Sequence, residues 1–236
     1  MEKIHKMMRQ FLFLAICTCT VWGTDCVWAA DRGQILYYNF EDQASKVIRD
    51  VSGRGNDGIV RNSGNEQFEI HTEEIQGRKV QAMHLPGGDK GSYLELPENL
   101  LKGCSAFTIS AWVKLHADTS YQRIWDFGND QRSYFYLLTH GQNENAIGYT
   151  TAITENGWMQ EQCVSMGSDF EKERWVLTTV TMEEDKMSLY LDGDLIESKS
   201  TGISLEKLNE TQHNYIGYGQ FGDQPINGDF AEISVF

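Results

Sequence analysis

Residues 107–116 alternate apolar and polar side chains, and this alternation restricts the fold more than any other feature of the sequence. Because successive side chains of a β-strand point to opposite faces of the sheet, the pattern predicts a strand with one buried face and one largely polar face. The apolar set is Phe107, Ile109, Ala111, Val113 and Leu115, and the other set is Thr108, Ser110, Trp112, Lys114 and His116. Trp112 is therefore the apolar exception on the polar face.

Residues 187–191 repeat the alternation and end at Asp192-Gly193, after which residues 195–199 form another strand-like segment. Asp-Gly between two such segments is typical of a two-residue hairpin turn, because both central residues of that turn need positive φ angles. The sequence therefore predicts an antiparallel hairpin here.

The rest of the chain from residue 35 onward is a series of short β-type segments separated by Gly, Asn and Asp, with hardly any amphipathic helix. Such a series is typical of an all-β sandwich or barrel. Further strands are predicted at 35–40, 82–85, 93–96, 122–127, 134–138, 146–153, 175–182, 214–218 and 229–236, with helical turns at 97–101 and 204–208.

The N-terminus has the pattern of an export signal. Basic residues precede an apolar segment at 11–17 that is too short to span a bilayer, and small residues follow at Ala29 and Ala30. We expect a signal peptide over residues 1–29 and one domain over residues 31–236. The mature protein is then secreted, periplasmic or on the cell surface, and no other segment is apolar enough to insert into a membrane. The basic residues of the signal are Lys3, Lys6 and Arg9.

The formal net charge of the chain is −14. An acidic surface of this kind repels phosphate backbones and anionic lipids, so we expect no nucleic-acid partner. The same surface favours cations.

Three of the five cysteines lie in the predicted signal, which leaves Cys104 and Cys163 in an oxidising compartment. The two could form a disulfide. Because the sequence gives no Cα separation for them, the pairing stays open.

Several segments together resemble the laminin-G-like domains of secreted bacterial proteins, within the concanavalin A-like lectin and glucanase superfamily. The resemblance spans nearly all of residues 31–236 and is specific only in combination. The matching segments are YYNFED at 37–42, DVSGRGNDG at 50–58, YLELP at 93–97, FTISAWVK at 107–114, RIWDFG at 123–128, LYLDG at 189–193, NYIG at 214–217 and NGDFAEI at 227–233.

The resemblance implies a two-sheet antiparallel jelly-roll sandwich of the concanavalin A-like type. It also implies a non-catalytic carbohydrate-binding or adhesion module, with lectin-like function, that takes a polysaccharide or glycan. Members of the family are often appended to glycoside hydrolases, so a C-terminal catalytic domain or a cell-surface protein is an expected partner.

Two other functions compete with glycan binding. One is a structural spacer between domains that touches no sugar. The other is a glycosidase, because the same fold also hosts glycosidases, which need two carboxylates at a fixed separation. The Glu-x-Asp-x-x-Glu strand of the laminarinase-like branch is absent, and the acidic segment at 169–173 has the wrong order. We therefore expect no catalysis.

Sugar recognition by sandwiches commonly combines an aromatic ring with polar groups that reach the hydroxyls. The carbohydrate-binding candidates are Tyr121, Arg123, Trp125, Tyr136 and Trp158. The competing interpretation is that most of these aromatic side chains pack in the core. Exposure of Trp158, Tyr121 and Tyr136 beside polar groups would favour sugar binding over the spacer.

A structural Ca²⁺ ion is expected near one edge of the sandwich, because hard cations take six to eight oxygen ligands and carboxylates with loop carbonyls supply them. The candidate ligands are Glu41, Asp42, Asn56, Asp57 and Glu232. Ala231 stands where such domains usually have an aspartate, which removes one oxygen ligand. The competing interpretation is that the Asn-Gly segment is simply a turn.

Overall fold

Two antiparallel β-sheets with a shared core form the protein. The computed structural model describes residues 33–62, 68–89, 91–144, 146–208 and 210–236. The predicted signal peptide at 1–29 lies outside the described residues. Within the described chain, no helix is long and apolar enough to cross a bilayer.

The first sheet has eight strands, in the order β15-β14-β13-β8-β17-β6-β5, with β1 also paired to β17. Its strands are β1 (Leu36–Tyr38), β5 (Glu69–Ile75), β6 (Arg78–Pro86), β8 (Ala106–Ala117), β13 (Val176–Glu183), β14 (Lys186–Leu191), β15 (Asp194–Ser200) and β17 (Asn227–Val235). The order is far from sequential, as expected of a jelly roll.

The second sheet has nine strands, in the order β12-β11-β10-β9-β16-β7-β4-β3-β2. Its strands are β2 (Gln43–Ala44), β3 (Val47–Ile48), β4 (Gly58–Asn62), β7 (Ser92–Leu96), β9 (Arg123–Gly128), β10 (Tyr134–Asn143), β11 (Ala146–Thr154), β12 (Gln162–Ser165) and β16 (His213–Ile216). Among the described residues, two short 3₁₀ helices lie at Trp158–Gln160 and Leu205–Lys207. The second of these falls within the predicted helical turn at 204–208.

The main core lies between the sheets and confirms the predicted burial. The apolar set of β8 is almost fully buried, and so are Met187 and Leu189 of β14. From the second sheet, Trp125, Phe127 and Phe135 enter the same core. The all-β class predicted from the strand series is therefore confirmed, and of the sandwich and the barrel it is the sandwich implied by the resemblance that forms.

The predicted Asp-Gly hairpin is also present. Leu191 pairs with Asp194 across the turn. Asp192 and Gly193 have φ angles of 51° and 87°, as a two-residue turn with left-handed central residues requires. Asp192 is held further because its Oδ1 accepts a hydrogen bond from the Leu177 amide at 2.9 Å.

The disulfide left open by the sequence is not formed, because Cys104 and Cys163 are both free. Cys104 precedes β8 and packs against the main core between the sheets. Cys163 lies in β12 and packs in a separate cluster with Tyr134 and Tyr136. The two side chains thus belong to different layers of the sandwich.

Candidate functional site

The outer face of the nine-stranded sheet, which points away from the main core, has a continuous row of cross-strand partners. Cross-strand partners share a face of a sheet, and residues adjacent to the row, such as Leu94, Trp125 and Phe135, enter the core. The row runs Val47, Ile59, Glu95, Tyr215, Asp126, Tyr136, Ala152 and Cys163. A charged and aromatic band therefore crosses this face.

Three half-buried tyrosines form one part of the band, and we call Tyr93, Tyr215 and Tyr218 the tyrosine cluster. The rings of Tyr93 and Tyr218 stack with centroids 4.5 Å apart. Tyr215 meets Tyr93 edge-on at 5.5 Å and lies 5.6 Å from Tyr218. Each ring keeps part of its surface in solvent. The cluster thus offers aromatic surface of the kind on which sugar rings stack.

Polar groups flank the tyrosine cluster. Glu95 lies next to Tyr215 in the row, and its Oε2 accepts a hydrogen bond from Arg61 Nε at 2.5 Å. The ring of His213 is parallel to that of Tyr215 at 6.3 Å. Burial, the largest cause, raises the pKa of Tyr215 to about 12, so its hydroxyl stays protonated and can donate at neutral pH.

A second aromatic group lies beside the first, around Tyr134, Tyr136 and Phe221. The Tyr134 and Tyr136 rings stack at 5.7 Å, and Phe221 meets Tyr134 edge-on at 5.2 Å. Glu161 accepts hydrogen bonds from both tyrosine hydroxyls, at 2.6 and 2.9 Å. The guanidinium carbon of Arg123 lies 4.2 Å from the centre of the Tyr136 ring. The side chains of this group are mostly buried and pack beneath the outer surface of the nine-stranded sheet.

Asp126 lies between the two aromatic groups and is fully buried. Burial raises its pKa to about 7, although the charge of Arg123 and a hydrogen bond from the Gln220 amide lower it. Gly219 is required here, because a Cβ at that position would lie 2.7 Å from Asp126 Oδ2 and 2.8 Å from Arg123 Cγ. Among the described side chains, Asp126 Oδ1 and Arg123 Nε are buried without a hydrogen-bond partner.

The prediction that Trp125 contacts sugar is wrong. Trp125 is fully buried in the main core, in line with the competing interpretation of the aromatic candidates, although Arg123 two residues earlier lies on the outer side. The reason is a register shift: Leu138 pairs with Arg123 and Leu137 with Trp125, so one residue of β9 is left over. Such a bulge places the residues before and after it on opposite faces.

The other four carbohydrate-binding candidates lie on the outer side or in the loops beside it. Tyr136 is only 2% exposed and Arg123 5% exposed, so neither offers a free surface. Tyr121 is half-buried, and its hydroxyl donates to Asn143 Oδ1 at 3.1 Å. Trp158 is 56% exposed in the first 3₁₀ helix. Trp158 alone of these has the exposure that direct stacking needs.

The tyrosine cluster was missed by the sequence analysis. Its members come from β7, β16 and the loop after β16, so no local pattern brings them together. The one available signal was that Tyr93 and Tyr215 each fall at a polar-facing position of a predicted strand.

The expected calcium ligands lie near the first strands, but several already have partners. Glu232 makes two hydrogen bonds of 2.9 Å with Arg78, and Asp57 accepts one of 2.5 Å from Arg49. Glu41 and Asp42 are exposed. Calcium binding therefore stays a prediction, in which Glu232 and Asp57 would exchange their arginine partners for the ion.

Asp50, which the sequence analysis did not single out, orders the loop that contains the other candidate ligands. Its Oδ1 accepts the amides of Tyr37 and Ser52, at 3.0 and 2.9 Å. Its Oδ2 accepts the Asn56 amide at 2.9 Å and the Ser52 hydroxyl at 2.8 Å. The carbonyl of Asn56 accepts the hydroxyl of Tyr38 at 2.6 Å. The loop is thus held by internal hydrogen bonds.

Comparison with solved structures shows how widely the fold is shared. Domain 4 of AbnA, a GH43 extracellular arabinanase from Geobacillus stearothermophilus in complex with arabinotriose, superposes with a TM-score of 0.68 at 16% identity, over 86% of this chain and 91% of that domain. The binding domain of botulinum neurotoxin DC in complex with rat synaptotagmin II gives a TM-score of 0.55 at 18% identity, over 86% of this chain and 48% of the toxin chain. The same toxin domain in complex with SialylT gives a TM-score of 0.56 at 18% identity, over 86% of this chain and 47% of the toxin chain.

This chain therefore spans about half the length of the toxin domains and nearly all of the arabinanase domain. No curated protein gave a significant match. A family model described as the concanavalin A-like lectin/glucanases superfamily matches residues 87–236, which is more than half of the chain. The chain belongs to this superfamily, within its laminin-G-like branch.

Proposed function

We propose that this protein is a non-catalytic carbohydrate-binding module that holds a glycan on the outer face of its nine-stranded sheet. The observation that supports this most directly is the tyrosine cluster, where three partly exposed rings adjoin the Arg61–Glu95 pair. Aromatic surface beside charged and hydroxyl groups is the usual combination in sugar sites. The glycan is therefore expected to contact Tyr93, Tyr215 and Tyr218, and not the buried Trp125.

The comparisons with solved structures also support a glycan ligand. The arabinanase domain was solved with arabinotriose and a toxin binding domain with SialylT. An exported module with this fold could be attached to a glycoside hydrolase or a cell-surface protein. A secreted, periplasmic or cell-surface location is part of the same proposal, and it rests on the basic and apolar pattern of residues 1–29.

The loop at Trp158 is a secondary contact in this proposal. Gly157 donates its amide to the Arg132 carbonyl at 2.8 Å, and Gln131 donates to the Gln220 carbonyl at 3.4 Å. The exposed Trp158 therefore lies near the loops that border the second aromatic group. A longer glycan that extends across β9 and β10 would reach this side chain.

Affinity electrophoresis of the protein through gels containing different polysaccharides, arabinan included, tests the proposal. We expect one or more polysaccharides to retard the wild type, and we expect Tyr215→Ala and Tyr218→Ala to weaken binding by about tenfold or more, as loss of a central aromatic contact does. Tyr190→Ala is the matched control, because Tyr190 is also half-buried but lies in β14 of the opposite sheet.

The competing functions give different results. A wild type that no polysaccharide retards would favour the spacer. Release of reducing sugar from the same polysaccharides would favour the glycosidase. Equal weakening in Tyr190→Ala and Tyr215→Ala would remove the tyrosine cluster as the site.

A further inference from the structure

A cluster of histidines and carboxylates surrounds Asp229 on the outer face of the eight-stranded sheet. Asp229 pairs laterally with His84 of β6 on one side and with Lys114 of β8 on the other, and cross-strand partners share a face. His116 lies two residues beyond Lys114 at a register shift of β8, and its contact with Asp229 Oδ2 at 3.0 Å places its ring on the same face. Three strands that are distant in sequence thus place potential metal ligands together.

The donor atoms in this cluster are close. His84 Nδ1 lies 2.7 Å from Asp229 Oδ1, and His116 Nε2 lies 3.0 Å from Asp229 Oδ2. All three side chains offer donor atoms within 4.8 Å of one another. Ligand atoms bound to Zn²⁺ at about 2.1 Å in a tetrahedron are roughly 3.4 Å apart, so an ion fits after small rotations of the two rings.

The exposure of the cluster suits an ion that enters from solvent. The Asp229 side chain is only 3% exposed, whereas those of His84 and His116 are 29% and 27% exposed. The carboxylate is therefore fixed at the base of the cluster, and the two imidazoles border its open side.

A second carboxylate orients one of the histidines. His116 Nδ1 lies 3.2 Å from Glu173 Oε2, while its Nε2 faces Asp229. A histidine that binds a metal through one ring nitrogen commonly donates the other N–H to a carboxylate, which fixes the tautomer and the ring plane. Glu173 has φ of 58°, so the backbone is held in the left-handed region at the residue that supplies this contact.

We propose that His84, His116 and Asp229 form a binding site for a divalent transition-metal ion of the Zn²⁺ class. Two imidazoles and one carboxylate are borderline ligands that suit such an ion better than Ca²⁺, which prefers oxygen alone. Three protein ligands leave a fourth position for water or for a ligand from outside.

Lys114 adjoins the proposed site and opposes the ion. Its Nζ lies 3.3 Å from Asp229 Oδ2 and 3.0 Å from Glu73 Oε1. A bound cation would repel this ammonium group, which retains Glu73 as a partner. The charge of Lys114 therefore lowers the affinity for the ion below the affinity that the three ligands alone would give.

Zn²⁺ titration of the metal-stripped protein by calorimetry, with the Zn²⁺ content of the dialysed protein measured separately, tests the site. We expect one ion per chain in the wild type, and at least about tenfold weaker binding in His84→Gln, His116→Gln and Asp229→Asn. Glu173→Gln should weaken binding by about tenfold through the ring of His116. Lys114→Gln should strengthen it, which a purely structural role for the cluster would not produce.

Two controls separate this site from histidines that lie away from Asp229. His213→Gln removes an exposed histidine on the opposite sheet and should bind Zn²⁺ like the wild type. His140→Gln alters the group formed by Asp118, His140 and Asp169, whose donor atoms are also within 4.8 Å of one another, and should likewise retain binding. Far-ultraviolet circular dichroism establishes that each variant is folded.

The proposal is overturned if the wild type binds no Zn²⁺, or if His84→Gln and His116→Gln bind it unchanged while His140→Gln does not. If Asp229→Asn fails to fold, the two histidine variants still decide the matter, because their side chains are partly exposed. Failure of this site leaves the glycan proposal intact, since the variants and the measured ligand differ.

Discussion

The carboxylate of Asp126 lies 3.6 Å from Nε of Arg123, and both side chains are almost completely buried on the outer side of the nine-stranded sheet. An ion pair that is desolvated in this way loses much of its Coulombic gain to the cost of burial. This explains why the pKa of Asp126 is raised to about 7 by burial in spite of the nearby guanidinium.

Asp126→Asn should change the pH dependence of stability. The pKa of Asp126 is about 7 in the folded protein and about 3.9 in an unfolded chain. Between these values the folded state binds the extra proton, so the wild type loses stability as the pH rises through this window. The variant lacks this loss, so its stability relative to the wild type should increase with pH.

Urea unfolding at about pH 4.5 and about pH 7.5 measures the effect, because these values lie within and just above the titration range. Asp194→Asn, at an exposed position of β15, is the control and should show no such trend. A constant difference between Asp126→Asn and the wild type at both pH values would contradict the raised pKa.

Two tryptophan substitutions should lower stability by very different amounts. Trp125→Ala empties a fully buried site and should lower the free energy of unfolding by about 3–5 kcal/mol. Trp158→Ala acts at a side chain that is 56% exposed and should change that free energy by no more than about 0.5 kcal/mol. Chemical denaturation measures both. Similar losses in the two variants would show that the burial of these side chains differs from that described.

The two cysteines should behave as free thiols of unequal reactivity. Burial and the nearby Glu161 raise the pKa of Cys163 to about 12, whereas burial alone raises the pKa of Cys104. We therefore expect iodoacetamide to modify Cys163 more slowly than Cys104 in the folded protein. After unfolding, it should modify both cysteines rapidly even when no reductant is added. Peptide mapping by mass spectrometry follows each site. A peptide that joins Cys104 to Cys163 under non-reducing conditions would contradict the free state.

Calcium binding at the first loop is tested by thermal unfolding. If Ca²⁺ binds there, millimolar Ca²⁺ should raise the melting temperature, a chelator should reverse the rise, and Asp57→Asn should abolish it. His84→Gln is the control, because it lies outside the loop and should keep the response to Ca²⁺. Equal melting temperatures with Ca²⁺ and with chelator would remove the calcium prediction.

Much of the fold could be predicted from the sequence because apolar side chains recur at every second residue in β8 and β14, with Trp112 as an exception on the other face. The hairpin at Asp192-Gly193 could be predicted for a related reason, since turn chemistry is local. Strand β5 was not predicted. Because Glu69–Ile75 contains three acidic residues and a histidine, its alternation of apolar and polar side chains is weak. Local propensity cannot show that such a segment pairs with β6.

The sites were less predictable than the fold, for two physical reasons. A single extra residue in β9 puts Trp125 in the core while Arg123 lies on the outer face, and a bulge leaves little trace in a sequence. The tyrosine cluster and the residues around Asp229 are assembled across strands that are far apart in the chain. For example, His84 and Asp229 are 145 residues apart in sequence.

The sandwich architecture also determines how its two outer surfaces relate. Each sheet turns one side to the shared core, so Tyr215 and Asp229 point away from each other, back to back. A large sugar polymer lying along one side would leave the histidines opposite accessible to the medium. Occupancy at either surface is then sterically independent of the other, so the proposed glycan and the proposed metal ion would not exclude each other.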